Sequence, residues 1–435
     1  MKKLFPKQEE AKSFFASIQK SKKNTLDTSH AGTGKTVVAA QLAKELGTPV
    51  FVLCPKSVIH AWGEELDEAG VCPLGIINFE KVRGGRTTWM RKKGKSIMTW
   101  YLPKDTLVLI DEVHKCKGPY TLNAQLVISL HNQGYRIHAM SATAAEDPTE
   151  MRSLGFMLGL HGLNKADHET VPPQKSWYSW MKHNGCEKDF WNQWNIVDTS
   201  KLRHVRETMY DKNTKRLDVS DLPKAFRRNR IFTDYVEFKN ASKIKKAYAD
   251  LGITPDIVKN YIESGKLPVG EHHLTNIMYA RQLAEGLKAP DIADMAEDLM
   301  LEGMSVVVFV NFRETVEALC GRLKCDRIEG GQKSNRDEVI KKFQEDETNC
   351  IVCNIAAGGT GISLHDKHGN RPRASLISPT FSAKDLDQVL GRIHRNGMQT
   401  DALQKILVAK GSIEEQVLKS MSRRRDNLRI MQNKG

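Results

Sequence analysis

Apolar and polar positions change rhythm repeatedly along this chain. Val50-Phe-Val-Leu-Cys54, Thr106-Leu-Val-Leu-Ile110 and Ser305-Val-Val-Val-Phe-Val310 are short apolar runs, the pattern of strands covered on both faces. Asn349-Cys-Ile-Val-Cys-Asn354 reads the same way. Between such runs lie stretches with helical spacing, among them Thr36–Leu46 and Arg313–Leu323. Alternation of the two predicts an α/β fold built on parallel sheets flanked by helices. No fixed-period repeat or low-complexity tract interrupts it.

A chain of 435 residues suggests two or three domains. The pattern divides most naturally into a lobe at about residues 1–225 and a second at about 226–435. Leu222-Pro-Lys-Ala-Phe-Arg-Arg-Asn-Arg230 is the connector. Residues 171–221 are rich in Trp and poor in clean strand pattern, and read as a helical elaboration of the first lobe.

Composition narrows the class. Hydrophobic residues make up 40% and charged residues 27%, as in ordinary globular proteins. No apolar run reaches the ~20 residues of a spanning helix, and the N-terminus carries no signal-peptide core. An intracellular, soluble protein with no membrane partner is expected. The eight cysteines are too few for a disulfide scaffold. Cys350 and Cys353 form a CxxC, with Cys320 and Cys325 upstream, but residues three apart on a strand face opposite ways, so a zinc site is rejected. The net charge of +14 points to a polyanionic partner. Lys81–Lys95 holds seven Lys and Arg and no acid, with Trp89 among them; Arg227, Arg228 and Arg230, and Arg423-Arg-Arg425, form two further basic clusters.

Two stretches carry nucleotide chemistry. Ser29-His-Ala-Gly-Thr-Gly-Lys-Thr36 matches G-x-x-x-x-G-K-[ST], with Ser29 in place of the first glycine. Small residues (Gly32, Thr33, Gly34) let backbone N–H groups face phosphates at a helix start; Lys35 bridges the outer phosphates and Thr36 binds Mg²⁺. Asp111-Glu-Val-His114 follows a strand, so Asp111 is placed to hold Mg²⁺ and Glu112 to position the attacking water. Far downstream, Gln388-Val-Leu-Gly-Arg-Ile-His-Arg395 brings Gln388, Arg392 and Arg395, the two arginines expected on one helix face and aimed at a transferring phosphoryl group. ATP and Mg²⁺ are the expected cofactors.

These residues together resemble the superfamily 2 helicases, and within them the Swi/Snf-type motors, over nearly the whole chain. Leu4-Phe-Pro-Lys-Gln8 is similar to the Q motif, which implies that Gln8 reads adenine. Phe51–Trp62 resembles motif Ia, implying nucleic-acid contacts at Pro55 and Lys56, and Ile77-Asn-Phe-Glu-Lys81 resembles the Ib region with Asn78. Ser141-Ala-Thr143 matches motif III, which puts Ser141 and Thr143 on the track. Val308–Phe312 resembles motif IV with Asn311, and Ala356–Leu364 motif V with Thr360 on nucleic acid and Gly361 on nucleotide. Gly330–Arg336 with Phe343, and Lys410–Glu415 ahead of a closing brace helix, resemble further family elements. Motif III reads SAT rather than the Swi/Snf GTP, and motif VI continues Asn-Gly-Met-Gln rather than Ile-Gly-Gln.

The resemblance implies two tandem RecA-like lobes, with ATP and nucleic acid at the interlobe cleft. It implies a monomeric ATP-dependent translocase or helicase on duplex, forked or branched DNA, related to the compact annealing-helicase branch of a kind found in phage genomes. DNA repair and recombination are its implied settings. Lys92 and Lys93 in the basic insert add a further DNA contact, with Trp89 packing on sugar or base. The alternatives are a strand-separating helicase on DNA or RNA, and a non-catalytic DNA-binding scaffold.

Overall fold

The computed structural model describes residues 3–85, 87–94, 97–145, 147–165, 172, 174–190, 192–210, 212–223, 225–264, 273–330, 335–358 and 362–432. It divides into two compact units, residues 1–222 with 426–435, and residues 223–425. Each is built on one six-stranded, all-parallel sheet.

In the first unit the strands are β1 (Thr25–Asp27), β2 (Val50–Cys54), β3 (Gly75–Asn78), β4 (Leu107–Asp111), β5 (Arg136–Met140) and β6 (Thr214–Lys215). Their order across the sheet is β6-β1-β5-β4-β2-β3. Alternation of faces explains the apolar runs. Phe51, Leu53, Val108 and Ile110 enter one core; Val50, Val52, Cys54, Leu107 and Leu109 enter a second on the other face. Neither face reaches water, so no polar residue interrupts the run. Helix Lys35–Leu46 covers the sheet with Val38, Ala39, Leu42 and Ala43 buried, and stops at Gly47, whose φ of 61° is left-handed.

Two expectations need correction here. Residues 171–221 are not purely helical. Besides helices Trp177–His183 and Leu202–Met209 they hold an antiparallel hairpin, Cys186–Lys188 with Trp194–Ile196, and β6, which pairs with β1 at the sheet edge. A two-residue strand is too short to show a period. The basic insert is likewise an antiparallel hairpin, Met90–Lys93 with Ile97–Trp100. Met90, Met98 and Trp100 are buried, while Arg91, Lys93 and Ile97 face outward. Trp89 packs edge-on against Phe51, with ring centroids 5.9 Å apart, so it belongs to the core margin and not to a stacking surface.

The second unit contains β7 (Asn229–Val236), β8 (Ser305–Val310), β9 (Asp326–Ile328), β10 (Cys350–Asn354), β11 (Arg373–Ile377) and β12 (Ala402–Ala409), in the order β7-β12-β11-β8-β10-β9. Every residue of β8 is buried. Cys350 and Cys353 are buried in β10, and among the described residues no group of His, Cys, Asp or Glu side chains is placed to hold a metal. Nor is any described helix long and apolar enough to cross a membrane.

A buried ion pair ties helix His273–Leu301 to the start of helix Glu414–Gln432. Lys288 Nζ donates to Glu414 Oε1 at 2.7 Å, with both side chains at most 5% exposed. Glu414 Oε2 also accepts from the Ala409 N–H at the end of β12. Removing one partner leaves a buried charge alone, which costs about 3–5 kcal/mol. Glu414→Ala should therefore lower the unfolding free energy of the second unit, from urea titration, by that order. Lys288→Met combined with Glu414→Leu should recover most of the loss.

Candidate functional site

The first unit presents its nucleotide chemistry at the carboxyl ends of β1 and β4, where parallel sheets leave open loops. β1 ends at Asp27, buried at 1% exposure, whose Oδ1 accepts from the Ser29 N–H at 2.8 Å. Ser29 Oγ accepts from the Leu217 N–H at 2.9 Å. That bond gives serine a purpose where the motif has glycine: its hydroxyl stitches the loop to the segment after β6. Arg216 strengthens the join, donating from Nη1 to the Thr28 carbonyl at 2.7 Å and from Nε to Asp218.

The loop then turns on Gly32 and Gly34, with φ of 82° and 86°. A Cβ on Gly34 would lie 2.6 Å from Gln8 Nε2. Gln8 is itself 3% exposed; Nε2 donates to the Thr33 carbonyl at 2.7 Å and Oε1 accepts from the Phe5 N–H at 2.9 Å. Gln8, the residue expected to read adenine, bonds backbone with both ends of its amide and braces the phosphate loop from helix Pro6–Lys20.

Helix Lys35–Leu46 starts directly after Gly34, with no side chain capping its first N–H groups. Those donors, with Thr36 in the same turn, form the usual cradle for an anion. Lys35 Nζ donates to the carbonyls of Ser29 at 2.7 Å and His30 at 3.1 Å. Burial pulls the Lys35 pKa down, opposed by Asp27, Glu112 and Asp111 in that order. Sequence-expected Lys35, Asp111 and Glu112 thus share one electrostatic neighbourhood. Uncapped donors, one ammonium and the adjoining carboxylates fit a nucleotide triphosphate with its Mg²⁺.

Asp111 closes β4. Its Oδ2 accepts from Trp62 Nε1 at 2.9 Å and its Oδ1 from the Glu112 N–H at 2.8 Å. Burial, then the Glu112 charge, push its pKa up from 3.8 to about 6. Glu112 adopts φ of 51°, a left-handed conformation that a non-glycine residue holds only where its surroundings enforce it. His114 Nδ1 lies 3.1 Å from Glu112 Oε2 and 2.9 Å from Ser141 Oγ. Ser141 is fully buried and Thr143, whose N–H donates to Ser141 Oγ, is 6% exposed. Both were expected on nucleic acid; they belong instead to an interior link running from Glu112 through His114.

Other expected track residues differ among themselves. Pro55 is buried and Lys56 exposed at the end of β2. Asn78 caps helix Phe79–Arg83, accepting from the Lys81 N–H. Lys93 is exposed, while Lys92 packs its Cβ over Gly85. In the second unit Asn311 is half-buried: its Nδ2 donates to Glu285 and to the Pro379 carbonyl, and its Oδ1 accepts from Arg281. That network holds the end of β8. Thr360 and Gly361 lie outside the described residues.

Gln388 is 5% exposed in the last turns of helix Ala383–Leu390. The helix stops there, so Arg392 and Arg395 occupy the turns beyond it and do not share a helix face, contrary to expectation. Arg392 is 3% exposed and donates to the Ile362 carbonyl at 3.0 Å. It ties its own turn to the segment at Ile362 from inside. Arg395 is half-buried, its Nε donating to the Gly391 carbonyl. Sequence reasoning missed Asp27, Arg216 and Glu285. Asp27 stands two residues before the motif, and only its strand-end position signalled it.

Two outcomes test this geometry. Gly34→Ala combines left-handed strain of about 1–3 kcal/mol with a clash on Gln8, and should weaken ATP binding roughly tenfold to a hundredfold by calorimetric titration. Gly47→Ala, left-handed but with open space around it, should leave affinity unchanged. The second concerns pH. Because the folded Asp111 pKa is raised, the folded state keeps a proton that the unfolded chain has lost between pH of about 4 and about 6, and this contribution to stability falls as pH rises. The stability of Asp111→Asn relative to wild type, from urea midpoints, should grow across that window and level off above it. A pH-independent difference overturns the burial account.

Comparison with known proteins places the site in context. Residues 291–397 match the family described as helicase conserved C-terminal domain. A protein of Acanthamoeba polyphaga mimivirus named as an ATP-dependent RNA helicase is 30% identical over 98% of this chain and 83% of its own. The ATP-dependent helicase YqhH of Bacillus subtilis is 24% identical over 92% of this chain and 75% of its own. A Drosophila persimilis DNA repair and recombination protein, RAD54-like, is 24% identical over 39% of this chain and 23% of its own.

Proposed function

The chain belongs to the ATP-dependent helicases and is a nucleic-acid-dependent ATPase, and from that premise we propose that it is a superfamily 2 translocase of the Swi/Snf type moving on double-stranded or branched DNA. The observation that carries this reading is an intact phosphate loop coupled through the Asp111–Glu112 pair to His114 and Ser141. A catalytically dead scaffold has no use for Lys35, both acids and both arginines. The similarity to a RAD54-like protein supports DNA as the track and repair as the setting. The +14 charge supports a grip on phosphates, sequence-tolerant and salt-sensitive.

In this reading Lys35 and the first turn of its helix hold the phosphates, and Thr36 and Asp111 hold Mg²⁺. Glu112 orients the attacking water. ATP supplies the bond whose cleavage drives the cycle. Any shift of Glu112 on hydrolysis reaches Ser141 through His114, giving the site a mechanical outlet. Arg395, half-buried where Arg392 is not, is the residue assigned to the developing phosphoryl charge; Arg392 positions the turn.

A second reading, an RNA motor, is favoured by the mimivirus relative's name. ATPase rates with duplex DNA, forked DNA and RNA separate the two. Duplex or forked DNA should stimulate turnover more than RNA, and Lys35→Ala should abolish it. Equal rates with and without DNA sink the DNA reading; no stimulation by either nucleic acid, or a fully active Lys35→Ala, sinks the motor reading. Arg395→Ala should bind ATP normally while turnover falls by about three orders of magnitude; unchanged turnover removes Arg395 from the chemistry.

A further inference from the structure

One cavity in the first unit plays no part in the chemistry above. It encloses about 900 Å³ and lies at the edge of the sheet opposite the phosphate loop. The topology requires that placement. Lys22, Lys23 and Asn24 lead into β1, Tyr135 leads into β5, and Lys212 and Asn213 lead into β6, so all of them gather at the amino edge of three parallel strands. The loop of Ser29–Gly34 leaves the carboxyl edge. A five-residue strand such as β5 separates the two edges by about 16 Å.

The floor of this cavity is fixed by polar bonds. Asn24 Nδ2 donates to the Met157 carbonyl at 3.0 Å, and its Oδ1 accepts from the Ile137 N–H at 2.9 Å. Asn213 Nδ2 donates to the Leu158 carbonyl at 3.0 Å. Around that floor stand the ammonium groups of Lys22, Lys23 and Lys212 and the paired rings of His183 and His204, 5.1 Å apart. Among the described residues no carboxylate lines the cavity. Lys22 reaches Asp105 at 3.5 Å, whereas Lys23 and Lys212 are exposed and make no ion pair among the described residues. Holding Lys23 and Lys212 beside a third lysine on a concave surface costs self-repulsion, which an anionic ligand relieves.

We infer that this cleft is a second nucleic-acid contact, in which Lys23 and Lys212 grip the phosphates of one strand on the side of the unit away from the nucleotide loop. The inference rests on the nucleic-acid motor reading and adds a tether to it. Strand held at this edge is not subject to the Glu112–His114–Ser141 link, so the contact retains the track while the other grip is released. It raises affinity without entering the ATPase step.

The test is the doubly reversed variant Lys23→Glu/Lys212→Glu in the full chain, with Lys23→Arg/Lys212→Arg as the conservative control. Binding of a fluorescein-labelled DNA duplex is followed by anisotropy across a salt series. Loss of two phosphate contacts should reduce the slope of log affinity against log salt by about 2 and weaken binding at least tenfold at low salt. The arginine control should bind like wild type, and all three proteins should share one basal ATPase rate and one thermal midpoint. Unchanged affinity and slope in the reversed variant, with wild type binding normally, overturn the inference and leave the motor reading intact. Loss of tripolyphosphate binding with unaltered duplex affinity also overturns it, by assigning the cleft to a small anion. A wild type that binds neither DNA nor RNA fails the motor reading itself.

Discussion

The bond from the Ser29 N–H to the buried carboxylate of Asp27 sets the direction in which the chain leaves the sheet. Burial raises the Asp27 pKa, and the charges of Lys35 and Arg216 oppose that rise together with Ser29 itself. A carboxylate this enclosed is tolerable only because cations and an N–H converge on it. Once the loop leaves in that direction, the positive-φ glycines, the Gln8 brace and the uncapped helix start follow as a single piece of geometry. Weakening Asp27 loosens the loop although no phosphate touches it.

A similar economy runs through the second unit. Arg392, Glu285 and Lys288 are buried, and each is bound to backbone or to an opposite charge. They position the ends of strands, where loops project, whereas Arg395 is only half-buried. Polar residues inside this fold therefore serve as spacers between functional loops. Lys288 is matched by Glu414, and Arg392 and Glu285 are held by amide groups, so each acts only together with its partners.

Much of this was legible in the chain. The two parallel-sheet units follow from apolar runs such as Val50–Cys54 and Val306–Val310, because doubly covered strands admit no polar positions. The phosphate loop and the Asp111–Glu112 pair were legible because their chemistry needs particular residues at fixed spacing. Burial was not. Ser141 and Thr143 resemble nucleic-acid contacts by motif, yet both are buried among partners contributed from distant segments, and spacing along a chain carries no record of what folds over it. Trp89 misleads for the same reason: an aromatic among lysines looks like a stacking platform until Phe51 is seen against it. The arginines beyond Gln388 were placed on a helix because nothing in the pattern marks where that helix stops.

The hydrogen bond from the Leu217 N–H to Ser29 has a consequence for synthesis. The loop's partner lies 188 positions further along the chain, and β6, which seats that partner, is the last strand of the first sheet to be made. At ordinary ribosomal rates the gap between the two residues amounts to roughly 10–40 s. During that interval the nascent chain carries a complete nucleotide motif that lacks its anchor. The first unit therefore becomes a binder of nucleotide late in translation, when its final edge strand docks, and a nascent chain stalled before that point holds every residue of the motif without its geometry.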